Sequence, residues 1–182
     1  MGGFFSRIWQ RLLRRAETRL VVLGLDAAGK TTFLTKLALG DPRTVVPTVG
    51  FNVQRLDYKN IHFTIWDVCG QEKTRPLWVL YLDNTQAMVY IIDSNDRQRI
   101  DESIEELDKI IREPAIKGKP LLIFCNKQDL PNAMQSEQIS TKINFADYKR
   151  PCHIQPLCAI SGQGIQEGLD WLANTLKSSQ AH

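Results

Sequence analysis

A glycine-rich stretch with one lysine and one threonine lies near the amino terminus. This segment, Gly24 to Thr31, has the sequence GLDAAGKT; it follows a short apolar run and precedes the helix-forming KTTFLTKLAL. In the pattern Gly-x-x-x-x-Gly-Lys-Thr, backbone N–H groups and the positive end of the next helix attract phosphate oxygens. We therefore predict a nucleotide site in which Lys30 reaches the β- and γ-phosphates. The predicted contacts of this loop are Asp26, Ala27, Ala28, Gly29, Lys30, Thr31 and Thr32.

A second polar cluster, NKQD, follows a buried-type strand and predicts which base is bound. Guanine presents two adjacent donors, N1–H and the N2 amino group, which one carboxylate can accept together, whereas adenine offers no such pair. We therefore predict that Asp129 reads guanine, that Lys127 lies along the ring, and that Asn126 meets the base edge and tethers the loops. The segment CAISG places Cys158 and Ala159 after the last strand, where the Ala159 N–H could bond the guanine carbonyl oxygen.

The segment WDVCGQ closes a third strand and supplies groups for hydrolysis. Asp67 is the expected carboxylate on the Mg²⁺ side, acting through a water molecule, and the Gly70 N–H can approach the γ-phosphate. Gln71 is placed to orient the attacking water, so the predicted catalytic set comprises Gln71, Lys30 and Gly70. Thr48, in VVPTVGF, can contribute a metal ligand and a nucleotide contact only if its loop folds over the nucleotide. The predicted metal ligands are Thr31, Thr48 and Asp67.

Short apolar runs alternate with amphipathic stretches, and this alternation predicts the elements that carry these residues. The expected strands are RLVVLGL, the two halves of FNVQRLDYKNIHFTIWD, AMVYIID, PLLIFCN and HIQPLC. The expected helices, after the one that follows the glycine-rich loop, lie at roughly 72–83, 101–112, 135–144 and 165–177. Such alternation predicts an α/β protein with a mainly parallel sheet, helices on both faces, and ligands at the carboxyl ends of the strands.

The first residues have a different character from the rest of the chain. Residues 1–19 contain five arginines and one glutamate, although the formal net charge of the 182-residue chain is only +3. At helical spacing one face of this segment is apolar, with Phe4, Phe5, Ile8, Trp9, Leu12 and Leu13. We predict an amphipathic membrane helix over 1–17 and one folded domain over 18–182. Because the positive charge is confined to this segment, it indicates binding to an anionic membrane surface and gives no sign of a nucleic-acid-binding surface.

The chain begins MGGFFS, which matches the N-myristoylation pattern and makes Gly2 the predicted lipidation site. No apolar run is long enough to span a bilayer, and the start lacks the features of a secretory signal. The four cysteines show no metal-ligand spacing, so free thiols in a reducing cytosol are expected. Cys152 and His153 could be imagined as half a metal site, but no partner pair follows.

Together these segments resemble the ADP-ribosylation-factor (Arf) and Arf-like small GTPases over essentially the whole chain. The TLKS segment near the carboxyl end, with the MGGFFS start, leans toward the Golgi Arf-like branch. The segments that carry the resemblance are MGGFFS, GLDAAGKTT, PTVGFNV, YKN, WDVCGQEKTRPLW, DSNDR, NKQDLPNAM, CAISGQG and EGLDWL.

The resemblance implies a P-loop GTPase fold whose six-stranded sheet is parallel except for one antiparallel edge strand. It implies a GTP/GDP switch with Mg²⁺ that hydrolyses GTP slowly, cycles from cytoplasm to Golgi membranes and serves vesicle trafficking. In such a switch a two-strand hairpin slides on GTP binding and expels the N-terminal helix. Implied partners are an exchange factor, a GTPase-activating protein and effectors, with golgin-type coiled coils as one class. The implied effector surface is Phe51, Trp66 and Tyr81, which would otherwise be assigned to a core.

One position departs from the family pattern, because Cys69 replaces the first of two glycines before Gln71. If position 69 required a positive φ, cysteine there would cost on the order of 1 kcal/mol and alter the shape of the segment. Two alternative functions stay open at this point. One is a P-loop kinase that transfers phosphate to a small molecule, although no acceptor-binding domain or lid remains. The other is a GTP-locked scaffold that binds membrane and partners without turnover, because Cys69 could disturb the segment needed for hydrolysis. Arg75 is the nearest candidate for a cis catalytic arginine, and the resemblance speaks against it.

Overall fold

The computed structural model describes residues 17–39, 51–59 and 61–180. The six strands are β1 (Glu17–Leu23), β2 (Phe51–Tyr58), β3 (Ile61–Val68), β4 (Ala87–Asp93), β5 (Leu121–Asn126) and β6 (Cys152–Pro156). The α-helices are α1 (Lys30–Leu39), α2 (Ile100–Ile110), α3 (Ser136–Ser140), α4 (Phe145–Tyr148) and α5 (Ile165–Gln180), and two 3₁₀ helices span Glu72–Tyr81 and Pro114–Ile116. The predicted amphipathic helix before Glu17, with Gly2, and the loop of Thr48 lie outside the described residues.

The strands form one sheet in the order β2-β3-β1-β4-β5-β6. Strand β1 is parallel to both β3 and β4, with Leu20 opposite Ile65 on one side and Ala87 on the other. Strands β4, β5 and β6 continue the parallel arrangement, whereas β2 runs antiparallel to β3 at the edge. The predicted fold class is therefore confirmed. Since five strands are parallel, their carboxyl ends meet at one edge of the sheet, where the predicted site residues lie.

Alternate residues of each strand face opposite sides of the sheet, and each side carries its own core. Leu20 and Val22 of β1 belong to a cluster covered by α1 and α5. Val21 and Leu23 belong to a second cluster, covered by α2, α3, α4 and the Glu72–Tyr81 helix. With helices on both faces, the strands are fixed from both sides, so their carboxyl ends form a rigid base for the loops.

Two predicted helices differ from the observed ones. The segment predicted over 72–83 is a 3₁₀ helix that contains Pro76, which lacks the N–H that an α-helix needs at that point. The segment predicted over 135–144 ends as an α-helix at Ser140 and resumes as α4. Thr141 Oγ1 donates to the Gln138 carbonyl at 2.8 Å, a local bond that competes with helix continuation.

Candidate functional site

The loop between β1 and α1 passes two other strands at two glycines, and at each of these positions there is no room for a side chain. Gly24 adopts φ +144°, and a Cβ there would lie 2.2 Å from the Ile91 carbonyl oxygen. Gly29 adopts φ +93°, and its Cβ would lie 2.2 Å from Asn126 Nδ2. Helix α1 begins at Lys30, so its first unpaired N–H groups open toward the loop. This bare, donor-rich backbone fits the predicted phosphate contacts of the loop.

Lys30 is buried at the centre of this loop. Its Nζ donates to the carbonyl oxygens of Gly24 at 2.9 Å and Leu25 at 2.8 Å. Burial lowers the pKa of Lys30 from its ordinary value, while the nearby charges of Asp67 and Asp26 act to raise it. A phosphate oxygen is a stronger, charged acceptor than these carbonyls. The ammonium is thus already positioned for the predicted phosphate contact.

Two oxygen-bearing side chains meet beside Lys30. The Thr31 hydroxyl, in the first turn of α1, donates to Asp67 Oδ2 at 2.9 Å. Asp67 is fully buried near the end of β3, and its position is fixed by the pairing of β1 with β3. Mg²⁺ prefers such hard oxygen ligands, a hydroxyl and a carboxylate, together with phosphates and water. The donor set therefore fits Mg²⁺, and the third predicted ligand, Thr48, lies outside the described residues.

The Asn126 side chain joins the loop after β1 to the loop after β6. Its Nδ2 donates to the Ala28 carbonyl at 2.8 Å, and its Oδ1 accepts from the Ala159 N–H at 3.0 Å. Asn126 is 2% exposed, so both bonds are protected from water. The structure thus brings the phosphate loop and two base-site segments together, as the tethering role predicts.

The remaining base-site residues surround this junction. Lys127 adopts φ +67°, which is unusual for a side chain other than glycine, and its Nζ lies 2.6 Å from Asp93 Oδ2. Asp129 is exposed and Cys158 is buried. Sequence reasoning gave Asp93 no role. Its position at the end of AMVYIID, one strand from NKQD, is the signal that could have placed it at the same edge.

Gly70 lies directly against the phosphate loop. Its carbonyl oxygen accepts from the Asp26 N–H at 3.1 Å, and a Cβ at this position would lie 2.3 Å from the Gly24 carbonyl oxygen. Only glycine fits so close an approach. Gln71 follows with an exposed side chain and extended backbone, immediately before the Glu72–Tyr81 helix. The predicted catalytic residues Lys30, Gly70 and Gln71 therefore share one end of the sheet.

The condition under which Cys69 would be strained, a positive φ at position 69, is not met. The described residues with positive φ other than glycine are Ala27, Lys59, Asn84, Lys127 and Lys149, and Cys69 is not among them. Its side chain is buried, with 6% exposed. Glycine is therefore required at position 70 for the close approach, and position 69 has a backbone that an L-residue adopts freely.

Three aromatic rings form a cluster at the margin of a core, because Phe51 is exposed whereas Trp66 and Tyr81 are partly buried and pack against the core cluster that contains Val21 and Leu23. The ring centroids of Phe51 and Trp66 are 5.2 Å apart, and Tyr81 lies 5.5 Å from Phe51 and 6.1 Å from Trp66. Phe51 is 50% exposed. The guanidinium of Arg19 lies over the Trp66 ring, 4.2 Å from its centre, in a cation–π contact. The cluster joins β2, β3 and the Glu72–Tyr81 helix.

The cysteines lie apart from this site, except for Cys69 and Cys158. All four are free thiols, and burial raises the pKa of Cys125 to about 12 and that of Cys152 to about 11. The His153 ring stacks on Trp171 with centroids 5.1 Å apart. Within the described ranges, no cluster of three or more His, Cys, Asp or Glu could hold a metal ion.

A mainly parallel sheet with a Gly-x-x-x-x-Gly-Lys-Thr loop after a central strand and an Asn-Lys-x-Asp segment after a neighbouring strand defines a P-loop nucleotide-binding protein of the GTPase type. The sequence matches the family model described as the ADP-ribosylation factor family over residues 5–176. The chain belongs to this family of small GTPases and is a GTP-binding switch that hydrolyses GTP.

A solved structure similar to this chain is that of the Arl6 BBS3 small GTPase from Trypanosoma brucei with bound nucleotide analogue GppNp. The TM-score is 0.82 at 28% sequence identity, with 90% of this chain and 99% of that chain covered. The family assignment decides against the alternative of a kinase for a small molecule.

Proposed function

We propose that the protein is a membrane-recruited GTP/GDP switch that binds its nucleotide at the edge where the carboxyl ends of the parallel strands meet. The observation that carries this proposal is the Asn126 side chain, which bonds both Ala28 of the phosphate loop and Ala159 of the last loop. One buried amide thereby holds the loop for the phosphates and the loop for the base at a fixed separation, as a single nucleotide requires.

Guanine is the proposed base. The Asp129 carboxylate accepts the N1–H and the N2 amino group, and the Ala159 N–H donates to the guanine carbonyl oxygen. Lys127, held by its ion pair with Asp93, lies along the ring. The left-handed backbone at Lys127 is a strained conformation, and we assign this strain to the orientation of the base-binding groups.

The phosphates and Mg²⁺ are assigned to the loop, with Thr31, Asp67 and Thr48 as the metal ligands. Bound Mg²⁺ neutralises charge on the β- and γ-phosphates. Lys30 exchanges its two carbonyl acceptors for phosphate oxygens, and the Gly70 N–H donates to the γ-phosphate. Gln71, whose side chain is exposed, orients the attacking water.

Turnover is proposed to be slow without a partner. Arg75, the nearest arginine in sequence to Gln71, is directed at the Gly70 carbonyl and Glu102 rather than held free for a phosphate. An arginine supplied in trans accelerates related reactions by about 10³ to 10⁵. A GTPase-activating protein is therefore the proposed source of rapid hydrolysis, and an exchange factor the proposed source of GTP loading.

The proposed output is membrane and effector binding at the Golgi. Within the described ranges, no helix has the length and hydropathy to cross a bilayer. Membrane attachment is assigned to an acyl chain on Gly2 and to the apolar face of residues 1–17. Effectors, with golgin-type coiled coils as one class, are assigned to the cluster of Phe51, Trp66 and Tyr81, whose rings offer a preformed apolar surface.

A competition titration against fluorescent GDP tests the nucleotide assignment. We expect GTP and GDP to compete far better than ATP, and removal of Mg²⁺ with EDTA to accelerate nucleotide release. Single-turnover phosphate release, with and without cell extract, then separates a switch from a GTP-locked scaffold. Equal competition by ATP and GTP would overturn the guanine assignment, and no release even with extract would favour the scaffold.

A further inference from the structure

A buried arginine connects three parts of the nucleotide site. Arg75 lies in the Glu72–Tyr81 helix and is 8% exposed. Its Nε donates to the Gly70 carbonyl oxygen at 3.0 Å, and its Nη1 donates to Glu102 Oε1 of α2 at 2.6 Å. Its Nη2 lies 3.6 Å from Asp26 Oδ1 in the phosphate loop. One guanidinium therefore touches the loop, the glycine beside it and a neighbouring helix.

The Gly70 carbonyl is held by two donors at once. The Asp26 N–H donates to it at 3.1 Å from the phosphate loop, and Arg75 Nε donates from the other side. The carbonyl that precedes Gly70 is held as well, because Cys69 O accepts from Trp78 Nε1 at 2.9 Å and from Thr74 Oγ1 at 3.2 Å. Both peptide groups that flank Gly70 thus have fixed directions.

The contacts of the Cys69 carbonyl set the direction of the Gly70 N–H, and the contacts of the Gly70 carbonyl set how close Gly70 lies to the phosphate loop. In a planar trans peptide the N–H points opposite to the carbonyl of the same unit. Because the Cys69 carbonyl points toward Trp78, the Gly70 N–H points away from Trp78. An N–H donor that is held in place before the ligand arrives binds more tightly than one that must be ordered on binding.

Glu102 completes this arrangement. A charged guanidinium that is buried without a partner is costly, so the ion pair with Glu102 allows Arg75 to stay beside Gly70. The planar fork of arginine contacts Gly70 and Glu102 at the same time, which the single ammonium of a lysine cannot reproduce. The same helix offers a comparison, since Glu106 pairs with Lys109 at 2.7 Å and neither contacts Gly70 in the described hydrogen bonds.

We propose that Arg75 and Glu102 are positioning residues that hold Gly70 against the phosphate loop through its carbonyl oxygen, so that its N–H stays within reach of a γ-phosphate, and thereby set the preference of the protein for GTP over GDP. GDP lacks the phosphate that this N–H contacts, so disturbing the pair weakens GTP binding selectively. The inference rests on the proposed nucleotide function, and in particular on the contact of Gly70 with the γ-phosphate.

The test measures the affinities of the full-length chain with Mg²⁺ for fluorescent GDP and for fluorescent GppNp, a non-hydrolysable GTP analogue. The variants are Arg75→Lys, Glu102→Gln and the double variant, with Glu106→Gln as the matched control. We expect Arg75→Lys to reduce the GppNp-to-GDP affinity ratio by about tenfold, the usual effect of one lost charge-assisted hydrogen bond. Glu102→Gln should reduce the ratio less, and the double variant no more than Arg75→Lys alone. Glu106→Gln should leave the ratio unchanged.

A purely structural role predicts a different result. In that case the variants lower the melting temperature and weaken both nucleotides equally, so that an unchanged affinity ratio overturns the proposal. A ratio that changes as much in Glu106→Gln also overturns it. In the same experiment, GTP and ATP are each tested as competitors of fluorescent GDP for the unaltered chain. Guanine selectivity with an unchanged ratio removes only the positioning role, whereas absent selectivity removes the proposed function itself.

Discussion

A single carboxylate carries the proposed choice of base. Asp129→Asn replaces an acceptor of two donors by an amide, so we expect GTP affinity to fall by about tenfold or more. Xanthosine triphosphate should bind better, because its C2 carbonyl accepts from the new amide. Competition titrations measure both effects, and Asp83→Asn, an exposed carboxylate before β4, serves as the control. Unaltered GTP affinity in Asp129→Asn would remove this residue from the base site.

The exposed amide of Gln71 carries the proposed hydrolysis step. Gln71→Leu keeps the size of the side chain but cannot orient water, so we expect hydrolysis to slow at least about tenfold. GDP affinity should change little, because GDP has no γ-phosphate. Single-turnover phosphate release measures the rate, and Lys73→Ala in the same exposed segment is the control. Fast turnover by the purified protein, or a normal rate in Gln71→Leu, would contradict the assignment.

Cys69 gives a prediction that follows from its ordinary backbone. Because Cys69→Gly relieves no strain and frees the unfolded chain, we expect the free energy of unfolding to fall by about 0.5–1 kcal/mol. Hydrolysis and nucleotide exchange should stay close to those of the unaltered chain. Chemical unfolding and stopped-flow exchange measure the two effects. A changed hydrolysis or exchange rate without a loss of stability would restore Cys69 as a modulator of this segment.

At the scale of elements, local patterns predicted most of the scaffold. Alternating apolar residues placed β2 and β3, and the sequence KTTFLTKLAL placed α1 with the observed bounds. The same patterns could not show that Pro76 lies in a 3₁₀ helix or that the segment over 135–144 breaks. Both outcomes depend on the balance between local hydrogen bonds and tertiary packing. The spacing of apolar residues shows neither of these contributions.

The candidate site was predictable for a different reason, namely that its motifs are local. The phosphate loop and the NKQD segment each lie within one short stretch of sequence. The bonds that join such stretches were not predictable, because the partner of a side chain depends on directions set by the fold. Glu102, which pairs with Arg75 from another helix, and Asp93, which pairs with Lys127, are two examples.

Helix α5 packs so closely on the sheet that adding one methyl group at the contact should be measurable as a loss of stability. A Cβ at Gly168 would lie 2.6 Å from two ring atoms of Phe124 in β5. We therefore expect Gly168→Ala to push α5 from the sheet and to lower the free energy of unfolding by about 1–3 kcal/mol, despite the better helix propensity of alanine. Urea unfolding measures it. Asn174→Ala, exposed on the same helix, should not destabilise; unchanged stability in Gly168→Ala would show that the contact yields without cost.

At the scale of the whole molecule, nucleotide state is proposed to control membrane binding. The six large apolar side chains of the N-terminal segment gain roughly 9–18 kcal/mol on burial, while ordering about 12 residues costs about 1–2 kcal/mol each. This near balance lets a modest rearrangement move the segment between protein and membrane. A single myristoyl chain gives an affinity of only about 10⁴ M⁻¹, so the apolar face and arginines are needed as a second signal.

Co-sedimentation with anionic liposomes measures this effect on acylated protein. We expect strong binding with GppNp, weak binding with GDP, and a loss of binding in Phe5→Ala/Trp9→Ala. The control is Gln10→Ala, on the polar side of the same segment. Binding that ignores the nucleotide, or that survives the double substitution, would remove this segment from the switch.

The junction at Asn126 also has a consequence for folding during synthesis of the protein. Ala28 leaves the ribosome early, but the amide that supports it lies 98 positions later and the third member of the junction, Ala159, a further 33. Since domains assemble as synthesis proceeds from the amino terminus, the nucleotide cradle can close only when most of the chain has emerged. Ligand that binds only the closed form then drives this last folding step by mass action. We therefore expect a cell poor in guanine nucleotide to accumulate newly made chains that are synthesised in full but incompletely folded.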